Sequence, residues 1–218
     1  MKKRIKENAN EASGVSNSRL ARRIKILDVA ADAFTNQGYA ATTLDSIGDA
    51  LQATKGNIYY YFRSKADLFL AVHRRAMELN ISKIAPIAED TNLRPRERIY
   101  CMAHAHTMLM MEHHTYQRVT VIGLEIHNLR QTTELQRAEL SEIVDLRDKY
   151  EHLFVDVIRE GIQAKDFTAS DPHLVAKPLL GALNWTTMWY RPRKREGKNH
   201  RVCLANQIAD FAVRGLEA

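Results

Sequence analysis

The run TLDSIGDALQATKGNIYYYFRSK, residues 43–65, decides the fold. Thr43 suits the N-cap of a short helix reaching about Leu51, with Ile47 and Leu51 turned inward. After Gln52-Ala53, Thr54 caps a second short helix, Lys55 to Tyr61, and Ser64-Lys65-Ala66-Asp67 fits the capping box of the next one. The turn Leu51-Gln52-Ala53-Thr54 keeps the two short axes close, and small Ala53 and Gly56 permit the approach. A helix this short is not stable alone, so its composition must serve packing and contacts. Ile58 and Phe62, four apart, make a buried ridge. Lys55, Asn57, Tyr59, Tyr60 and Tyr61 fall on the other faces. A packing motif with surface tyrosines explains the ridge, but three tyrosines after Lys-Gly-Asn are better explained by a polyanionic partner.

Upstream, Leu20, Ile24, Leu27, Ala31 and Phe34 form a helical stripe from about Ser18 to Gln37, which Gly38 stops. Residues 18–62 thus supply, in order, the parts of a tri-helical helix-turn-helix: a buried first helix, a short second one, a tight turn and a recognition helix. In that arrangement Lys55 and Asn57 reach base edges. Tyrosine hydroxyls, Thr43, Thr54 and Lys65 suit phosphates, and so do Arg19, Arg22 and Arg23 on the first helix. Charge agrees: 11 Lys+Arg stand against 6 Asp+Glu through residue 65, and 21 against 20 beyond it. A membrane surface would accept the same basic end, so charge alone does not choose. Residues 1–17 are polar and aperiodic, and a disordered arm is expected there. Its Lys2, Lys3, Arg4 and Lys6 either follow the DNA or remain a solvated tail.

The rest of the chain also reads as helix, with 9 Gly, 5 Pro and no alternating β-branched runs. Helices are expected from Pro95 to near His113, Tyr116 to His127, a long one ending near Gly161, Asp171-Pro172 to about Tyr190, bent at Pro178, and His200 to Leu216. The segment from Leu179 to Tyr190 is apolar nearly all round, so one face belongs on the core and another on a second copy of the chain. Gly181 and Ala182 allow that close approach.

The run TTLDSIGDALQATKGNIYYYFRSKADLFLAV, with its entry Gly38-Tyr39-Ala40-Ala41-Thr42-Thr43, resembles the N-terminal domain of the TetR family of transcriptional regulators over about residues 18–70. The resemblance implies that Thr43, Thr54, Lys55, Asn57, Tyr59, Tyr60 and Lys65 hold the family's phosphate and base positions; Arg22 and Gly56 complete the expected DNA-binding set. It also implies a homodimer on a palindromic operator, usually a repressor released by a small ligand. The family's dimer interface uses the last two helices, here about 172–190 and 200–216. That places Leu179, Gly181, Ala182, Leu204, Ile208 and Phe211 at the interface. The expected organisation is all-α: an arm 1–17, a helix-turn-helix DNA-binding domain 18–66 and a ligand-binding and dimerisation domain 67–218.

LLGALNWTTMWYRP, with AELSEIVDLRDKYEHLF upstream, is similar to the branch of that family that senses acyl-CoA thioesters and controls fatty-acid or steroid breakdown. An apolar pocket with cations at its mouth would suit such a ligand. The candidate lining is Met108, Met111, Leu124, Tyr150, Phe154, Trp185 and Trp189, each of which also reads as ordinary core. Arg147 meets a ligand oxygen or pairs with Glu151 or Glu142. Arg191, Arg193, Lys194, Arg195, Lys198 and Arg201 form either a solvated loop or a phosphate clamp. The alternative effector is a hydrophobic drug or other non-CoA ligand acting on an efflux or stress gene.

No metal is expected: His106, His113 and His114 lack a Cys or acidic partner at ligand spacing. They read as partly exposed or hydrogen-bonded histidines. No cofactor and no enzymatic activity are expected either, for want of a P-loop, dinucleotide glycine pattern, nucleophile elbow or HExxH. An architectural DNA binder would carry apolar wedges or long basic tracts, which are missing. Cys101 and Cys203, the chain's 2 cysteines, read as buried free thiols rather than a redox pair. With no secretory h-region and no run long enough to span a bilayer, a soluble cytoplasmic protein without a membrane partner is expected.

Overall fold

The computed structural model describes residues 2–127, 133–168, 171–193 and 195–217, with side chains described except for 2–16, 122–127 and 198. The described residues form ten helices and no strand. The chain divides into two compact units, residues 1–72 and 73–218.

The first unit holds α1 (Lys2–Asn36), α2 (Leu44–Ala50), α3 (Lys55–Tyr61) and the start of α4 (Lys65–Ala88). Ile26, Leu27, Ala30, Ala31 and Phe34 line the buried side of α1, whereas Leu20, counted in the expected stripe, is exposed. The α1 backbone is helical from Lys2, over the arm where disorder was expected. That stretch has no proline and only Gly14 as a weak point, so the helix propagates back from its packed part.

Gly38 takes a φ of +84°, where glycine is favoured, and turns the chain into a loop. Tyr39 stacks on Phe34 at 5.8 Å and meets Phe69 edge-on at 5.0 Å. Leu68, Phe69 and Val72 at the start of α4 are buried, and the first compact unit runs to Val72.

The capping of α2 follows the sequence: Thr43 Oγ1 accepts from Ser46 N at 3.0 Å, and Ser46 Oγ accepts from Thr43 N at 3.1 Å. The turn to α3 closes when Ala53 N donates to Gly48 O at 2.9 Å, with Gln52 at φ +50°. The small residue at the helix crossing is Gly48, not Gly56. A Cβ on Gly48 would lie 3.4 Å from Ile58 Cγ1, whereas one on Gly56 would meet nothing within 4 Å. Ile58 and Phe62 are both buried.

The second unit holds the rest of α4, then α5 (Pro95–Glu112), α6 (His114–His127), α7 (Glu134–Gln163), α8 (Pro172–Asn184), α9 (Thr186–Trp189) and α10 (Lys198–Glu217). The α5 helix is central, packing against α6, α7, α8, α9 and α10. Ile84, Ile99, Met102, Phe154, Ile158, Leu183 and Val213 belong to one continuous core. The expected helix from residue 172 to 190 is instead two helices that part at Trp185. Thr187 Oγ1 donates to Asn184 O at 2.9 Å, and this local bond competes with the helical ladder. Of the two cysteines, Cys101 is half-buried and Cys203 is exposed, so only the first approaches the expected burial.

At the end of α7, a Cβ on Gly161 would lie 2.2 Å from Phe167 Cδ2. Phe167 is itself buried, so its ring has little room to retreat. Gly161→Ala gains ~1 kcal/mol of helix propensity but overpacks the site by about 1–3 kcal/mol. A net loss of stability in urea unfolding is expected. Stability equal to or above that of the parent would refute this packing account.

Candidate nucleic-acid interface and ligand cavity

Asp45 Oδ2 accepts from Lys55 Nζ at 2.6 Å, which brings the start of α2 beside the start of α3. Thr43, Thr54, Lys55 and Gly56 are exposed there. Thr54 occupies the N-cap position of α3 but makes no side-chain cap bond, so its hydroxyl is not committed to the helix. Tyr59 and Tyr60 are exposed, Tyr60 by 64%. Asn57 is half-buried, and its Oδ1 is a buried acceptor without a hydrogen-bond partner.

The arginines of α1 back this face. Arg19 lies 5.6 Å above the Tyr60 ring and Arg23 lies 5.3 Å above Phe62. Arg22 is half-buried. Lys65 is half-buried at the start of α4. Its Nζ donates to Tyr39 O at 2.7 Å and Ala40 O at 3.1 Å and sits 4.5 Å over the Tyr39 ring, strapping the loop to α4.

In the second unit, α4 to α8 enclose a cavity of about 550 Å³. Met77 and Asn80 come from α4, His106 from α5, Gln117, Thr120 and Val121 from α6, Arg147, Asp148, Tyr150 and Glu151 from α7, and Leu180, Gly181 and Asn184 from α8. Asn80 and Gln117 are buried and exchange two amide hydrogen bonds, of 3.1 and 2.6 Å. His106 Nδ1 lies 2.6 Å from the Tyr150 hydroxyl, and its Nε2 lies 3.1 Å from Asn184 Oδ1.

Burial pushes the His106 pKa down to about 4, against a smaller opposing effect of the Asn184 bond, and pushes the Tyr150 phenol up. Both groups are therefore neutral at pH 7. Arg147, Asp148 and Lys177 are exposed and Glu151 half-exposed, so these four charges mark the mouth. Glu151 pairs with Lys177 at 3.0 Å and Glu142 with Arg74, so among the described residues neither acid pairs with Arg147.

Of the expected lining, the cavity gathers Arg147 and Tyr150; Phe154 stands behind them, its ring 5.6 Å from that of Tyr150. Met108 and Met111 instead pack with Tyr190 and Ala205 in a separate small cluster. Trp185 and Trp189 do not line the cavity; they are exposed, Trp185 by 62%. The Leu124 side chain lies outside those described. The residues missed, Asn80, Gln117, His106 and Asn184, share one signal: polar side chains interrupting apolar helix faces, which need buried partners.

The expected dimer positions also divide. Leu179 is buried in the core, on the inward stripe with Ala176, Leu180 and Leu183. Ile208 and Leu204 pack partly against the unit's own interior, and Ala182 is half-buried. Gly181 is exposed but lines the cavity, and Phe211 is exposed by 66%. Leu174, Trp185 and Trp189 add exposed apolar surface on α8, α9 and the link between them. In the connection before α10, Arg191 Nη1 donates to the carbonyls of Met188 and Tyr190, both at 2.9 Å. Among the described residues no cluster of three or more His, Cys, Asp or Glu is placed to hold a metal, and no helix is long and apolar enough to cross a membrane.

Residues 26–72 match the family of bacterial regulatory proteins named for tetR, and residues 92–216 match the tetracyclin repressor-like C-terminal domain. The chain is 24% identical to the fatty acid metabolism regulator protein of Bacillus subtilis, over 88% of its length and 94% of that protein's. It is 26% identical to the HTH-type transcriptional repressor KstR2 of Mycobacterium tuberculosis, over 79% of its length and 82% of the relative's. Among solved structures, AibR in complex with isovaleryl coenzyme A and operator DNA superposes with a TM-score of 0.71 at 25% identity, covering 89% of this chain and 97% of that one.

Proposed function

The chain belongs to the tetR family of bacterial regulatory proteins, and from that premise we propose that this DNA-binding transcriptional regulator is a homodimeric repressor released from a palindromic operator by a ligand in the α4–α8 cavity. The observation that carries the proposal is the cavity itself: about 550 Å³, with a hydrogen-bonded polar set at depth and charges at its mouth. Buried polar groups beside empty volume are the usual arrangement of a specific small-molecule site. The chain passes between its two units within α4, and α4 contributes Met77 and Asn80 to the lining. A ligand that displaces Asn80 therefore bears on the helix that begins at Lys65. Dimerisation through α8 and α10 would cover Phe211, Trp185 and Leu174.

An acyl-CoA thioester is the effector we favour. Its support is the names of the relatives, one a fatty acid metabolism regulator and one bound to isovaleryl coenzyme A. Arg147 and Lys177 stand at the mouth where CoA phosphates would lie. A second reading, a ligand without CoA, is favoured by a specific observation. Asp148 and Glu151 stand beside those two cations, so the mouth carries no net positive charge for phosphates.

One experiment separates the two readings: thermal melting with isovaleryl-CoA, longer acyl-CoAs, free acids and cationic drugs, paired with release from an operator selected out of random DNA. A ligand at 100 times its Kd adds about 2.7 kcal/mol, which raises the melting temperature by about 5–10 °C at this size. A shift confined to CoA esters and matched by DNA release is expected. No shift with any CoA ester removes the acyl-CoA assignment.

A further inference from the structure

The direction of each hydrogen bond at the floor of the cavity follows from the atoms involved. Asn184 Oδ1 is an amide oxygen with no hydrogen to give, so His106 Nε2 must donate to it across their 3.1 Å. The imidazole is fully enclosed and neutral, holding one proton, and that proton is now on Nε2. Nδ1 is then a bare lone pair and accepts from the Tyr150 hydroxyl at 2.6 Å. The only phenolic hydrogen of Tyr150 is therefore committed to His106 and is not offered to a ligand in the cavity that both residues line. Among the described residues the Tyr150 oxygen makes no other hydrogen bond. What it offers a ligand is acceptor capacity alone.

We propose that the cavity selects ligands presenting a hydroxyl or N–H hydrogen to Tyr150, such as alcohols and amides, over ketones, esters and thioesters of the same shape. A carbonyl placed there would face another acceptor, and both would be desolvated without a partner. The proposal rests on the reading of this cavity as the effector site. It also refines the thioester reading: in a CoA ester, the group against Tyr150 is a hydroxyl of the acyl part or an amide N–H of the pantetheine arm, not the thioester oxygen.

Two measurements test it. Calorimetric titration compares 4-tert-butylcyclohexanol with 4-tert-butylcyclohexanone, which share a skeleton and differ at one oxygen. The alcohol is expected to bind at least about tenfold tighter, and Tyr150→Phe, checked by melting for an intact fold, is expected to bring the ratio to about one. Nitrogen-15 NMR of the histidine ring reads the tautomer without any ligand, and a protonated Nε2 with a bare Nδ1 is expected for His106. Equal or tighter binding of the ketone, or a proton on Nδ1, overturns the proposal. Silence of both probes also overturns the proposal, even with the expected tautomer; the reading of the cavity as the effector site falls separately, when no ligand of the melting panel shifts the parent protein.

Discussion

Replacing Lys55 and Tyr60 together with alanine is expected to weaken operator binding about 100-fold, in line with the loss of two groups at a protein–DNA contact. Both side chains are exposed, and their loss removes no buried packing, only the surface contacts of the Tyr60 ring with Arg19 and Tyr61. The ion pair of Lys55 with Asp45 is exposed on both sides, and such pairs contribute little to folding. Melting temperature should therefore stay at the parent value while affinity falls. Titration by fluorescence anisotropy at several salt concentrations adds a second readout. If Lys55 meets a phosphate, the Lys55→Ala change alone should lower the salt slope by about one unit. Undiminished operator affinity in the double variant would show that α3 is not the reading helix.

Acidification from pH 6.5 to pH 4 is expected to remove about 3 kcal/mol of stability through His106 alone. Burial lowers the native pKa from 6.5 to about 4, whereas the unfolded chain keeps the ordinary value. Between those two values the unfolded chain binds a proton that the native one refuses, so falling pH favours unfolding. The contribution is fully present above pH 6.5, declines at up to about 1.4 kcal/mol per pH unit through the window, and is flat below pH 4. Carboxylates add their own acid dependence, so the measurement is a difference: urea unfolding at stepped pH for the parent and for His106→Gln. Parallel curves for the two proteins would mean that His106 is not buried in its neutral form.

Local chemistry made the first unit largely legible. Thr43, Thr54 and Ser64 mark helix starts in one-dimensional sequence, and the Ser64 hydroxyl does accept from Asp67 N at 3.1 Å. The choice between Gly48 and Gly56 was not legible, because both sit in seven-residue helices and only the crossing geometry decides which meets Ile58. The cavity was legible only at Arg147 and Tyr150. Its other polar members are defined by partners distant in sequence: 37 residues separate Asn80 from Gln117, 44 separate His106 from Tyr150, and 78 separate His106 from Asn184. A periodicity reading sees each as a blemish on an apolar face. For the same reason Trp185 and Trp189 passed as lining: their hydrophobicity is plain in the sequence, but the turn that exposes them depends on hydrogen bonds at Thr187.

That turn has a spectroscopic consequence. The chain has 2 tryptophans, Trp185 at the parting of α8 and α9 and Trp189 at the end of the four-residue α9. Its intrinsic indole emission therefore arises from one corner of one unit, and the recognition helix contributes only tyrosine. Two water-exposed indoles make a built-in dye for the proposed dimer: if copies pair through this face, their emission is expected to shift to the blue on association and return to the red on dilution, without any label.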